Sequence, residues 1–159
     1  RVRALIDFSA HHYRYTVIDI PRSDAAVLDS LEGATMIVVV ANQELATIRS
    51  ASRIATGLRQ RYGKEKVSVV LSRSDRQAEI GLEDLQVAVG STVKHIFPSD
   101  YRLAVASLNR GQPLVTEGRS ALAQAFEAYA RELAGAKTSS EQGSAGKSSG
   151  LLGRLTGRR

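Results

Sequence analysis

Cysteine and tryptophan are absent from the sequence, and methionine occurs once. Without cysteine there is no disulfide, no thiolate nucleophile and no cysteine-ligated metal, and a reducing compartment is compatible with the chain. Three histidines leave little material for a Ser, His and acid set, and no such set has a spacing that singles it out. Aromatic residues are 5% of the chain, and the body has no dense basic face, so nucleic-acid binding is disfavoured. No apolar run approaches membrane-spanning length, and the N-terminus lacks the charged-then-apolar pattern of a signal peptide. These absences predict a soluble, cytoplasmic chain.

What is present is enough for one globular body: 159 residues, 43% of them apolar. The net charge of +6 is unevenly spread. From residue 136 onward Lys137, Lys147, Arg154, Arg158 and Arg159 face only Glu141, so most of the basicity sits in the tail. The chain starts on Arg1, inside an amphipathic pattern over Val2 to Ala10, and the expectation is that an N-terminal portion of a larger protein is missing.

Apolar periodicity then alternates between strand and helix. Tyr15–Ile20, Thr35–Ala41, Val67–Leu71 and Val93–Phe97 read as strands, the first two as buried runs. Helices are predicted near Ala25–Leu31, over Glu44–Tyr62, in "GLEDLQVAVG", over Tyr101–Asn109 and over Ser120–Leu133. Gly111 and Pro113 in "NRGQP" stop the fourth of these. Strands separated by helices predict an α/β, doubly wound, mostly parallel sheet with helices on both faces.

In such sheets ligands bind in the crevice at the carboxyl ends of the strands. The predicted strands end there on Asp19, on Asn42 and Gln43, on Ser72, Arg73 and Asp75, and on Pro98, Ser99 and Asp100. An acid at a strand tip can hold a hydrated Mg2+ beside phosphate oxygens. Ordinary alternatives stand beside this. Asp19, Ser23 or Asp24 can cap the following helix, Asp100 can cap its own, and Arg73 can make a surface ion pair. His11 and His12, adjacent on a helix, suit a solvated helix end, and His95 suits a packed strand position.

Four stretches in order, "YTVIDIPRSD", "ATMIVVVANQELATIRSASRIATGLRQRYG", "VVLSRSD" and "IFPSDYRLAVASLNRGQPLV", resemble the C-terminal two thirds of the MinD and ParA type of P-loop ATPases. The resemblance covers Tyr13 to Leu133. "DIPR" and "PSDYRLAVASLNRGQPL" are most similar to the CpaE branch, which serves pilus assembly and localisation. It implies that Asp19 is the Walker B acid, catalytic and holding Mg2+ through water, and that Pro21 shapes the adjoining switch loop. It also implies that Ser72 and Arg73 lie beside the adenine of ATP, with Pro98, Ser99 and Asp100 closing on the base from the other side. Two departures count against strong, hydrolytically coupled binding. Ser72 lacks the paired amide donor and acceptor of the usual Asn, and Arg22 stands where relatives often have glycine.

The phosphate cradle itself needs a glycine-rich turn between a strand and a helix, with a lysine. "GSAGKSS", Gly143 to Ser149, is a decoy: Glu141 stands where the pattern needs glycine, and no apolar strand precedes it. ATP hydrolysis is therefore expected of a full-length protein and not of this chain alone, with ATP and Mg2+ as cofactors of the former. The organisation expected is a partial ATPase domain over 1–135, a flexible linker over 136–150 and a basic amphipathic tail over 151–159. In that tail Leu151, Leu152 and Leu155 share a helix side, with Arg154, Arg158 and Arg159 supplying charge for an anionic membrane or a partner. The alternative is a disordered basic tail. Implied partners are a second copy in a homodimer, pilus, secretion or division machinery, and the inner membrane surface, where the protein would be peripheral. Two functions stay open: an ATP-dependent dimer switch for cell-pole or septum positioning, and a non-catalytic localisation scaffold of the same fold.

Overall fold

The computed structural model describes residues 2–20, 29–116, 118 and 120–135. Three strands, β1 (Ile37–Ala41), β2 (Val67–Ser74) and β3 (Val93–Pro98), form one sheet in the order β1-β2-β3. Both pairings are parallel, with Ile37 opposite Val67, Ala41 opposite Leu71 and Leu71 opposite Ile96. Parallel neighbours need long crossovers. These are α2 (Leu45–Tyr62) and α3 (Leu82–Val89). α1 (Val2–His12) precedes the sheet, and α4 (Tyr101–Arg110) and α5 (Ala121–Leu133) follow it. Short 3-10 turns occupy Asp29–Gly33 and Leu114–Thr116.

Side-chain spacing decides which face each helix covers. On α2 the buried residues Ile48, Ala51, Ala55 and Leu58 recur at three- and four-residue intervals, one stripe of a 3.6-residue helix. They pack with Leu85 and Val89 of α3 against Ile37, Val39, Ala41, Val67, Val69 and Leu71. The opposite sheet face is covered by α5, whose Leu122 and Tyr129 meet Val70 and Phe97. Helices thus lie on both faces of a parallel sheet, the α/β arrangement the sequence predicts.

Helix ends follow local chemistry. Asp100 caps α4 by accepting from the Leu103 N–H at 3.0 Å, and Ser120 caps α5 by accepting from Ala123 N–H at 3.0 Å. Gly111 ends α4 in the left-handed region, φ 64°, two residues before Pro113. At α3 the Asp84 carboxylate accepts from the Gly81 N–H at 3.2 Å.

The first predicted strand is corrected. Tyr15–Ile20 forms no strand: it runs as irregular chain, with Val17 95% exposed and only Ile20 packed against the core. β-branched runs report a preference for a pleated surface, but a strand also needs a ladder partner, and no strand pairing reaches these residues. β1 is corrected in part. Its burial alternates, Val40 being 60% exposed, because α5 covers β2 and β3 on that face and leaves β1 open. Of the helix expected over Ala25–Leu31 only the end is described, as the 3-10 turn. Pro21, Arg22, Ser23, Asp24, the decoy at Gly143–Ser149 and the whole tail, with Leu151, Leu152, Arg154, Leu155 and Arg158, lie outside the described residues.

Candidate functional site

β2 does not end as a regular strand. Leu71 pairs with Ile96 and Ser74 with Pro98, so Ser72 and Arg73 together oppose the single residue Phe97. Two residues against one is a β-bulge, a device that re-aims side chains at strand ends. Arg73 adopts φ 53°, the one positive φ outside glycine among the described residues. For a residue with a Cβ this conformation costs about 1–2 kcal/mol, and such strain concentrates where function requires it. Beyond the bulge the Ser99 N–H donates to the Ser74 carbonyl at 2.9 Å, carrying the β2–β3 contact one step further.

A groove with a volume of 540 Å³ opens against this bulge. Ser72, Arg73, Pro98, Ser99 and Asp100 all line it, so five residues predicted from two separate strand ends share one cavity. The rest of its wall is mostly apolar, with Tyr101 and Leu108 from α4 and Leu122 and Phe126 from α5, beside the polar Ser107 and Gln112. Phe97 sits within 4.6 Å of Phe126, ring centre to ring centre. The far end is tied by Ser107, whose hydroxyl donates to the Gln112 carbonyl at the end of α4. Sequence reading missed Tyr101, Leu108 and Phe126. The signal available was the spacing of Leu122, Phe126 and Tyr129 on α5, which places all three over β3.

Chemically the groove is an apolar slot with hydroxyls and one cation on its rim. Apolar and aromatic walls beside the hydroxyls of Ser72 and Ser99 are a lining of the kind that takes a flat heterocycle. Asp100 commits one carboxylate oxygen to its cap, leaving the other as an acceptor. Thus the helix-cap reading of Asp100 holds, and it does not exclude a ligand contact.

Asp19 is placed differently. It is exposed, stands on no strand of the sheet, and does not line the groove. Two strand ends therefore line the groove where four were expected: Asn42 and Gln43 after β1 stand outside it, and Asp19 is off the sheet because the Tyr15–Ile20 run is unpaired. Among the described residues no group of three or more His, Cys, Asp or Glu side chains could hold a metal ion. A single carboxylate such as Asp19 fits only a hydrated Mg2+ reached through water, and the groove fits the base of ATP better than its phosphates, for which the described residues offer no glycine-rich cradle.

The histidines are structural. His95 Nε2 bonds the Ala125 carbonyl at 2.9 Å, and its ring stacks on Tyr129 at 4.9 Å. Since a carbonyl only accepts, Nε2 carries the proton. His11 and His12, exposed at the end of α1, bond carbonyls one turn back, those of Asp7 and Phe8. A second hollow, 350 Å³, lies between α2 and α3 on the other sheet face, where Arg59 donates to the Val89 carbonyl at 2.7 Å.

A parallel sheet with its crossover helices α2 and α3 on one face, α5 on the other and a groove at the strand ends is an α/β layer of the P-loop NTPase type. Solved structures agree. The chain superposes on the MinD cell division protein of Aquifex aeolicus with a TM-score of 0.70 at 26% identity, covering 85% of this chain and 59% of that one. A ParA family ATPase from Chlorobium tepidum shares the fold, with a TM-score of 0.72 at 22% identity over 81% of this chain and 55% of the other. In sequence it is 32% identical over 133 residues to a putative septum site-determining protein MinD of Mesostigma viride, spanning 79% of this chain and 46% of the relative. With the septum site-determining protein MinD of Thermotoga maritima it shares 26% identity over 97% of this chain and 59% of the relative. No protein-family model matches. The chain is homologous to the MinD and ParA type of ATPases, and it spans about half the length of the curated relatives it matches, 46% and 44% for two of them.

Proposed function

We propose that this chain is part of an ATP-binding localisation ATPase of the MinD and ParA type, in which the groove receives the adenine. The observation that carries the proposal is the shared groove: Ser72 and Arg73 on the β2 bulge, Pro98, Ser99 and Asp100 after β3. In the whole protein Asp19 acts as the catalytic acid and holds Mg2+ through water, and nucleotide drives a homodimer switch. "DIPR" and "PSDYRLAVASLNRGQPL" favour the CpaE branch and hence pilus assembly or pole and septum positioning, with machinery proteins as partners. The tail residues Leu151, Leu152, Arg154, Leu155 and Arg158 supply peripheral contact with an anionic membrane. A single short segment binds marginally, so dimer avidity is part of this reading.

The test is Mg-ATP binding and turnover by the chain in its full natural context. Asp19→Ala should lower turnover about 10–100-fold, the effect of losing a group that acts on a metal through its outer shell. Unchanged turnover would remove Asp19 from the site. Deleting 151–159 should abolish sedimentation with anionic vesicles, and retained sedimentation would end the membrane reading. The second reading, a scaffold without turnover, is favoured by one feature: Ser72, lining the groove, carries a hydroxyl where an amide's paired donor and acceptor would read an adenine edge. Nucleotide binding with no turnover in full context would select it.

A further inference from the structure

Gln43, one residue beyond the buried Asn42 at the end of β1, uses both ends of its carboxamide. Nε2 donates to the Ile80 carbonyl at 2.8 Å, and Oε1 accepts from the Asp75 N–H at 2.7 Å. Those partners stand at the two ends of the loop from β2 to α3. One side chain closes that loop onto β1. A neutral amide can do so because it is donor and acceptor at once, which a carboxylate is not.

The loop begins two residues after Arg73. Its intervening residue, Ser74, is held from the other side, by the Ser99 N–H at the end of β3. A left-handed non-glycine residue persists only where its surroundings over-determine it. Here a strand end on each side pins the residues that follow the bulge. Within the loop the Asp75 carboxylate accepts from Gln77 N–H at 2.9 Å and its carbonyl from Ala78 N–H at 3.3 Å, so the turn is compact in itself. Its hydrogen bonds to the residues after β1 run through Gln43, while Ile80 packs on the core.

We propose that Gln43 is a positioning residue: by clamping the 75–80 loop to β1 it holds Ser72 and Arg73 in the bulged backbone that faces the groove. The ligand part of this inference rests on the adenine reading above, and the backbone part stands on the two hydrogen bonds alone.

Gln43→Met keeps the stem and removes both bonds, whereas Gln43→Glu keeps an acceptor for Asp75 N–H and loses the donor to Ile80. Three NMR readouts on the 159-residue chain judge them: amide exchange at Asp75, the HN–Hα coupling of Arg73, and shifts at Ser72, Ser99 and Asp100 on adding adenosine. In Gln43→Met, Asp75 exchange should quicken about fivefold, the equivalent of one hydrogen bond, and the Arg73 coupling should leave its wild-type value. Adenosine should bind about fivefold more weakly, with the melting temperature within about 8 °C of wild type. Gln43→Glu should retain Asp75 protection, and it serves alone if the Met variant fails to fold. Unchanged exchange and coupling in Gln43→Met overturn the clamp. Altered exchange with adenosine affinity held within twofold overturns the positioning role. A wild-type chain that shows no adenosine shifts at those three residues overturns the ligand part, while exchange and coupling still decide the backbone part.

Discussion

The two faces of the sheet are built from different materials. Where α2 and α3 meet the sheet, Val69 and Leu71 of β2 and Leu85 and Val89 of α3 are aliphatic and fully buried, with Leu85 at 0% exposure. Where α5 meets the sheet, Phe97 and His95 of β3 and Tyr129 of α5 are in mutual ring contact, with the Ser68 and Tyr129 hydroxyls buried and without hydrogen-bond partners. The first face is closed. The second is left open over Val38 and Val40 of β1 and carries the groove at its rim. Stability concentrates where shape is filled by apolar volume, and adaptable chemistry gathers where polar and aromatic groups meet an opening.

If that division is right, Leu85→Ala should be the most damaging single change, with a loss of about 2–5 kcal/mol from transfer and cavity combined. Urea unfolding checks it. A loss below 1 kcal/mol would mean that the closed face can collapse around the gap and is not the stability-bearing one. His95→Ala, on the α5 face, should lose about 1–2 kcal/mol, the sum of one hydrogen bond and a ring contact. A loss as large as that of Leu85→Ala would erase the contrast between faces. Smaller still, Asp100→Ala should lose about 1 kcal/mol through its cap. Asp100→Asn sharpens the question, because asparagine caps equally well. Stability held within about 0.5 kcal/mol together with altered adenosine shifts would assign the second oxygen to a ligand.

Much of the closed face was legible in the sequence. The three- and four-residue spacing along α2 and the runs at Val67 and Val93 each name a period, and Asp100, Gly111 and Ser120 mark helix ends by mechanisms local to a few residues. The groove was half legible. Polar residues after two strands pointed to Ser72, Arg73, Pro98, Ser99 and Asp100, since strand ends in parallel sheets converge by topology. The wall from Leu108 and Phe126 depends on how α4 and α5 lean on β3, which no local pattern specifies. The bulge at Arg73 was hidden because it is a matter of register between strands, and the Gln43 clamp because its partners lie 32 and 37 residues away. Tyr15–Ile20 shows the converse: a strong local preference without a partner strand leaves Val17 in solvent.

The smallest effect falls on Tyr129. Burial, the largest influence, raises its phenol above the ordinary 10.0; Ser68 and Lys94 act to lower it and Glu132 to raise it. Ser68 acts without a hydrogen bond of ordinary geometry, so its opposing influence is the weaker. The folded state therefore keeps this proton to higher pH than the unfolded state does. Above about pH 10 the unfolded chain binds fewer protons, and stability contributed by the neutral phenol is lost as pH rises toward the folded value. Lys94, raised chiefly by its hydrogen bond to Glu132 at 2.6 Å, loses its contribution in the same direction from its ordinary 10.5 upward. Tyr129→Phe separates the two. At pH 7 it should change stability by less than about 1 kcal/mol, and in the stabilising direction, because it deletes a buried hydroxyl with no partner. Between pH 9.5 and 11 its stability should fall less steeply than wild type, the remaining slope belonging to Lys94. Equal slopes in urea titrations over that range would show that the phenol titrates freely, and the α5 face would then be wetter than its packing implies.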